Sequence, residues 1–238
     1  MHIGIVLFDD VELLDMAGPY EVFTTAARMH AREGGPAAPP LFTVHTLACS
    51  AAPVRARAGL RLHPDHPLAS HPPLTCALVP GGVVDAELGN GPLLAWIQAQ
   101  ATSARILASV CTGSLLLGAA GLLAGYRATS HWATKGLLPI FGATPSDGRV
   151  VDDRNRITGG GVTAGIDFGL AIVGRLRDRQ YAEGVQLIAE YDPKPPYSAG
   201  TPESAPPEVT AMIEGMFTGF VAEAEKTGRT AFARFGNR

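Results

Sequence analysis

Ile106-Leu107-Ala108-Ser109-Val110-Cys111-Thr112-Gly113-Ser114-Leu115-Leu116 is the stretch that decides the fold. Its first half is a short apolar run of the kind buried on both faces of a parallel sheet. Its second half, from Thr112 to about Ala120, reads as a helix. Gly113 and its small neighbours permit a sharp reversal between the two, so Cys111 is expected at a strand-to-helix turn.

Similar units repeat on both sides of this turn. Ile3–Phe8 reads as a first strand, followed by a helix from Val11 to about His30 with Leu14, Val22, Phe23 and Ala26 at helical spacing. Gly34-Gly35-Pro36-Ala37-Ala38-Pro39-Pro40 cannot continue that helix and reads as a loop. Leu41–Ala48 resumes as a strand, and Val54–His63 suggests a hairpin or small excursion. Cys76–Pro80 is a buried strand ending at Gly81-Gly82, and a helix near Pro92–Thr102 leads to the strand before Cys111. Val150–Thr158 reads as a hairpin running into Gly159-Gly160-Gly161. Helices follow at about Ala164–Arg177, Arg179–Tyr191 and, beyond the Pro-rich connection Asp192–Pro207, at about Glu208–Lys226. Strands alternating with helices predict a three-layer α/β/α sandwich around a mostly parallel sheet. Residues 1–227 are read as one catalytic domain, and the basic 228–238 segment as a mobile tail.

The bulk composition narrows the function classes. The 238 residues are 46% hydrophobic and 17% charged, the profile of an ordered globular chain. A net charge of -3 without a basic run gives no electrostatic footprint for nucleic acid. No uncharged apolar run is long enough to span a bilayer, and the N-terminus lacks the basic flank of a signal peptide. Cys49, Cys76 and Cys111 have unrelated spacings and make neither a disulfide framework nor a metal pair. Reduced thiols and a cytoplasmic location are expected, with a small, weakly charged molecule as partner.

Cys111 has two readings. Free cysteine is often a buried, inert core residue. A strand-to-helix turn, however, is the setting of the nucleophile elbow, and the N–H groups of the following turn are expected to lower the thiol pKa and hold developing charge. Cys49 and Cys76 have no such turn and read as core residues.

Val79-Pro80-Gly81-Gly82, Ser109-Val110-Cys111-Thr112-Gly113-Ser114 and Ala128-Thr129-Ser130-His131-Trp132 together resemble the ThiJ/PfpI superfamily, which has the class I glutamine amidotransferase fold. The likeness runs from residue 3 to about residue 200. Within it, Leu14-Asp15-Met16-Ala17-Gly18-Pro19 and Thr158–Phe168 look most like the isocyanide hydratases. That resemblance implies a hydro-lyase that adds water to an isocyanide, needs no metal or organic cofactor, and is a homodimer. It implies Cys111 as nucleophile, Asp15 as the acidic partner (Glu in many relatives), and Thr112 offering its hydroxyl and N–H. Gly160, Gly161, Val162 and Gly82 would line a mostly apolar substrate pocket, with the glycine backbone close to the substrate. His131 is open between catalytic partner and structural residue, Asp15 sits among apolar neighbours that would raise its pKa, and Trp132 reads as core.

Other readings stand beside this one. A glyoxalase, deglycase or peptidase would use the same thiol, as would a redox or stress sensor in which Cys111 is oxidised. Regulators with a similar domain carry a helix-turn-helix region after it. One long helix after the Pro-rich connection is expected to leave no room for such a region here.

Overall fold

The computed structural model describes residues 1–35 and 39–236. Residues 36–38 of the expected Gly34–Pro40 loop and the last two residues of the expected tail lie outside the described residues.

The fold is built on a seven-stranded sheet whose strands lie in the order 150–153, 156–159, 106–110, 76–79, 2–6, 43–48 and 66–67. Its strands are β1 (His2–Val6), β2 (Thr43–Ala48), β5 (His66–Pro67), β6 (Cys76–Val79), β7 (Ile106–Val110), β10 (Val150–Asp153) and β11 (Arg156–Gly159). All neighbours are parallel except the β10–β11 hairpin. Two small side sheets pair β3 (Val54–Arg55) with β4 (Arg61–Leu62), the hairpin expected at 54–63, and β8 (Arg127–Ala128) with β9 (Thr144–Pro145).

Alternation along the central strands divides the core in two. Ile3, Ile5, Cys76, Leu78, Ile106 and Ala108 pack on one face against α1 (Leu13–Gly34), α5 (Ala164–Leu176) and α6 (Arg179–Ile188). Val6, Ala77, Val79 and Leu107 face the other way. They pack with α3 (Gly91–Ser103), α4 (Gly113–Ala119), the C-terminal half of α7 (Pro207–Phe235) and the single turn α2 (Asp85–Leu88). Helices cover both faces, which gives the three layers. On the first face α1 and α5 approach closely: a Cβ on Gly169 would lie 3.0 Å from Val22, and one on Gly165 3.1 Å from Pro19. This packing joins the Leu14–Pro19 and Thr158–Phe168 segments in space.

The C-terminal helix departs from the expected mobile tail. It runs unbroken to Phe235, with Gly228, Ala231 and Phe235 buried. Gly228 resembles a stop signal in the sequence, but it is a packing position, where a Cβ would come within 2.9 Å of the Phe141 ring. The basic residues Arg229 and Arg234 lie on the exposed side of this amphipathic segment.

Candidate active site

Cys111 closes β7 and precedes α4 with a φ of 58°, in the left-handed region that a non-glycine residue enters only when its surroundings hold it there. Its N–H donates to the carbonyls of Gly159 (3.1 Å) and Gly160 (2.8 Å). Its own carbonyl accepts from the hydroxyls of Ser130 (3.1 Å) and Ser114 (3.2 Å). The thiol is 5% exposed.

Asp15 comes from the first turn of α1 and is fully buried. The Gly81 N–H donates to its Oδ2 at 2.8 Å, while Oδ1 is buried without a hydrogen-bond partner. Two backbone ties bring α1 to this place: Glu12 N–H to the Gly81 carbonyl (2.9 Å) and Val83 N–H to the Asp10 carbonyl (3.1 Å). Gly81 is the crossing point. A Cβ there would stand 2.5 Å from both the N and Oγ1 of Thr112 and 2.9 Å from Asp15 Oδ2, so no other residue fits without moving backbone. The sequence names Gly81 only as part of the Val79-Pro80-Gly81-Gly82 motif and gives it no role of its own.

Burial sets the ionisation of this pair. Loss of water pushes the Asp15 carboxyl up to about 7, as its apolar flanks suggested; the Gly81 N–H pulls against this and the Glu12 carboxylate adds to it. The thiol departs from expectation. Burial pushes Cys111 far above its ordinary 9.0, the Asp15 carboxylate pushes it further, and the Thr112 N–H and hydroxyl pull back without prevailing. The helix behind it has only seven residues, and a short dipole does not offset complete desolvation. The elbow thus holds a protonated thiol beside a carboxylate that ionises near neutrality, with one proton for the two groups above pH 7.

The remaining expected residues separate into three places. Thr112 directs its hydroxyl to Gly82, accepting from the Gly82 N–H and donating to the Gly82 carbonyl, both at 2.9 Å. That hydroxyl therefore braces the two strand ends, while it and the Thr112 N–H both act on the sulfur. Gly82 has a φ of 138° and bridges to Val11. Gly160, Gly161 and Val162 do line a cavity of about 590 Å3, together with Ser130, His131 and Trp132. A Cβ on Gly160 would meet nothing closer than 3.7 Å, so the protein itself imposes no glycine there.

The wall of this cavity is mixed in chemistry. Lys135, Asp147, Arg149 and Glu203 also reach its wall, the first two joined at 2.5 Å and Arg149 paired with Asp167 at 2.5 Å. Both ion pairs are exposed to solvent. Trp132 is half-buried on the wall rather than in the core, and His131 stacks on Phe217 of α7 while Trp132 touches both rings. Burial lowers the His131 pKa, and its Nδ1 takes the Ala133 N–H at 3.3 Å. Cys111, Asp15 and Thr112 are not on the wall; Ser130 and Gly160 are, and each is bonded to the Cys111 peptide. Among the described residues no three His, Cys, Asp or Glu side chains converge to hold a metal ion, and no helix is long and apolar enough to cross a membrane.

A left-handed cysteine between a parallel strand and a helix, with a buried carboxylate brought to it from the first helix, marks the chain as an α/β/α protein of the cysteine-elbow class. The model of the DJ-1/PfpI family matches residues 1–175, and the chain belongs to that family. It is 44% identical over 215 residues to an isonitrile hydratase of Pseudomonas putida, covering 88% of this chain and 86% of that one. A ThiJ/PfpI family protein from Pseudomonas syringae superposes with a TM-score of 0.87 at 38% identity, over 95% of this chain and 90% of that one. The HTH-type transcriptional regulator GbdR of Pseudomonas aeruginosa is 32% identical over 192 residues, which are 80% of this chain but 50% of the regulator.

Proposed function

We propose that this protein is a hydro-lyase that converts an isocyanide to its N-substituted formamide, with Cys111 as nucleophile and Asp15 as the proton carrier. The observation that carries the reading is the buried Cys111–Asp15 pair in a chain 44% identical to an isonitrile hydratase along nearly its whole length.

The terminal carbon of an isocyanide accepts both a nucleophile and a proton. Asp15 carboxylate takes the thiol proton as the sulfur attacks, and returns it to that carbon, leaving a thioimidate on Cys111. Asp15 then draws a proton from water as the oxygen adds and passes it to the nitrogen. Loss of the hydroxyl proton and cleavage of the C–S bond release the formamide and restore the thiol. Water and isocyanide are consumed in equal amounts, and no electrons are exchanged. A thiol with a raised pKa suits this cycle, because the attacking group must bring the proton that the carbon receives. It argues against the redox-sensor reading, since oxidation favours an exposed thiolate.

Turnover needs the ionised carboxylate, so kcat/KM is expected to rise with pH through about 7 and then to level off. Three free cysteines fit a reducing, cytoplasmic setting. The exposed Val209, Met212 and Met216 on the N-terminal half of α7 suit a second copy of the chain, and light scattering on the purified protein is expected to give a dimer. Catalysis is assigned to one domain that includes α7. The test of function is a panel of p-nitrophenyl isocyanide, methylglyoxal and a peptide substrate. Formamide from the first alone supports the proposal; activity only on either of the others overturns it.

A further inference from the structure

We propose that Ser130 is a positioning residue that holds the Cys111 peptide in its left-handed conformation, an inference that rests on Cys111 being the nucleophile. The two hydroxyls on the Cys111 carbonyl are not equivalent. Ser114 is three residues away in the same turn, whereas Ser130 reaches in from the segment after β8, nineteen residues on. Ser130 is 3% exposed and lies 2.9 Å from the Thr134 hydroxyl, which also faces the His131 carbonyl at 3.1 Å.

Two hydroxyl hydrogens therefore serve three acceptors: the Cys111 carbonyl, the His131 carbonyl and one of the two hydroxyl oxygens. When Thr134 donates to Ser130, Ser130 donates to Cys111 and the clamp is closed. When Thr134 donates to His131, Ser130 can turn to Thr134, and Cys111 keeps only Ser114. Ser130 also lines the cavity whose wall continues through His131 and Gly160. The peptide of the candidate nucleophile is thus gripped on its N–H side by Gly160 and on its carbonyl side by Ser130, both of them cavity residues.

Ser130→Ala and Thr134→Val each break the same buried hydroxyl pair, so a merely structural role would make them alike. A positioning role separates them. Ser130→Ala removes the clamp, while Thr134→Val leaves Ser130 with Cys111 as its acceptor. With p-nitrophenyl isocyanide, Ser130→Ala is expected to lower kcat about tenfold, with KM changed by less than about threefold and the acid limb near pH 7 unmoved. Thr134→Val is expected to stay within about twofold of wild type. Alkylation of Cys111 by iodoacetamide, followed by peptide mass spectrometry, is expected to slow at least about threefold in Ser130→Ala and not in Thr134→Val, as the relaxed residue carries its sulfur away from the Thr112 N–H. Equal effects of the two variants, or none from Ser130→Ala, overturn the proposal. Cys111→Ala run alongside separates the two levels: full turnover by it removes the nucleophile reading itself, whereas a dead Cys111→Ala with a wild-type Ser130→Ala removes only the role of Ser130.

Discussion

The two ends of the parallel sheet both gather titratable groups, and they use them in opposite ways. At the N-terminal end of β1, His2 Nδ1 lies 2.9 Å from His45 Nε2, and His45 Nδ1 lies 3.2 Å from His66 Nε2. Each ring has a bonded neighbour and unstrained backbone. At the C-terminal ends of β6 and β7, Asp15 keeps a buried oxygen with no partner, Cys111 is held at positive φ, and burial raises the pKa of both groups. Three imidazoles make the more conspicuous cluster, yet they are satisfied by one another. Uncompensated burial and local strain, rather than the number of ionisable groups, single out the end where chemistry is proposed.

Asp15→Asn is the sharpest way to break this contrast. An amide can still accept the Gly81 N–H but cannot carry a proton, so isocyanide turnover is expected to fall about a thousandfold. Its stability is expected to move the other way. The Asp15 carboxyl titrates near 7 when folded and near 3.8 when unfolded, so between those values the folded state holds the extra proton and wild-type stability falls as pH rises. The raised thiol continues the same trend above its ordinary 9.0. Denaturant titrations at pH 5 and 8 are expected to show Asp15→Asn gaining on wild type at the higher pH, by about 2.5 kcal/mol. A pH-independent difference between the two proteins would remove the buried carboxylate from the account.

Gly81→Ala tests the crossing point beneath the pair. The new methyl meets the Thr112 backbone nitrogen, which cannot step aside as a flexible side chain would. A loss of about 3 kcal/mol in a urea melt is expected, with turnover reduced in the folded fraction. His45→Gln should do least. It is expected to cost about 1 kcal/mol and leave turnover within about twofold. Burial, His2 and His66 hold the His45 pKa below its ordinary 6.5, so its effect on stability appears as pH falls below that value, the reverse of Asp15. A large loss of turnover in His45→Gln would erase the distinction between the two sheet ends.

Much of the fold was legible because its signals are local. Residues 106–110 and 76–79 are continuous apolar strands, the helix boundaries in the α5 and α6 region fall within a few residues of the expected ones, and the turn at Cys111 is announced by Gly113. What escaped depends on segments distant in sequence. Nothing near Ser130 says that its hydroxyl will meet the Cys111 carbonyl. The buried place of Gly228 depends on Phe141, far from it in the sequence. The direction of the thiol shift depends on a balance between burial and a short helix, which only the packed structure supplies. Asp15 was legible in kind, since its apolar flanks already implied a raised pKa, while the bond to Gly81 that orients it was not.

The central claim is that the isocyanide carbon is carried on Cys111. The direct measurement mixes enzyme with stoichiometric p-nitrophenyl isocyanide, quenches at successive short times, and maps the protein by mass spectrometry beside a Cys111→Ala control. An adduct of substrate mass on the Cys111 peptide is expected to appear before the formamide and decay as it forms, with none from Cys111→Ala and no product. Formamide produced by Cys111→Ala at the wild-type rate would contradict it.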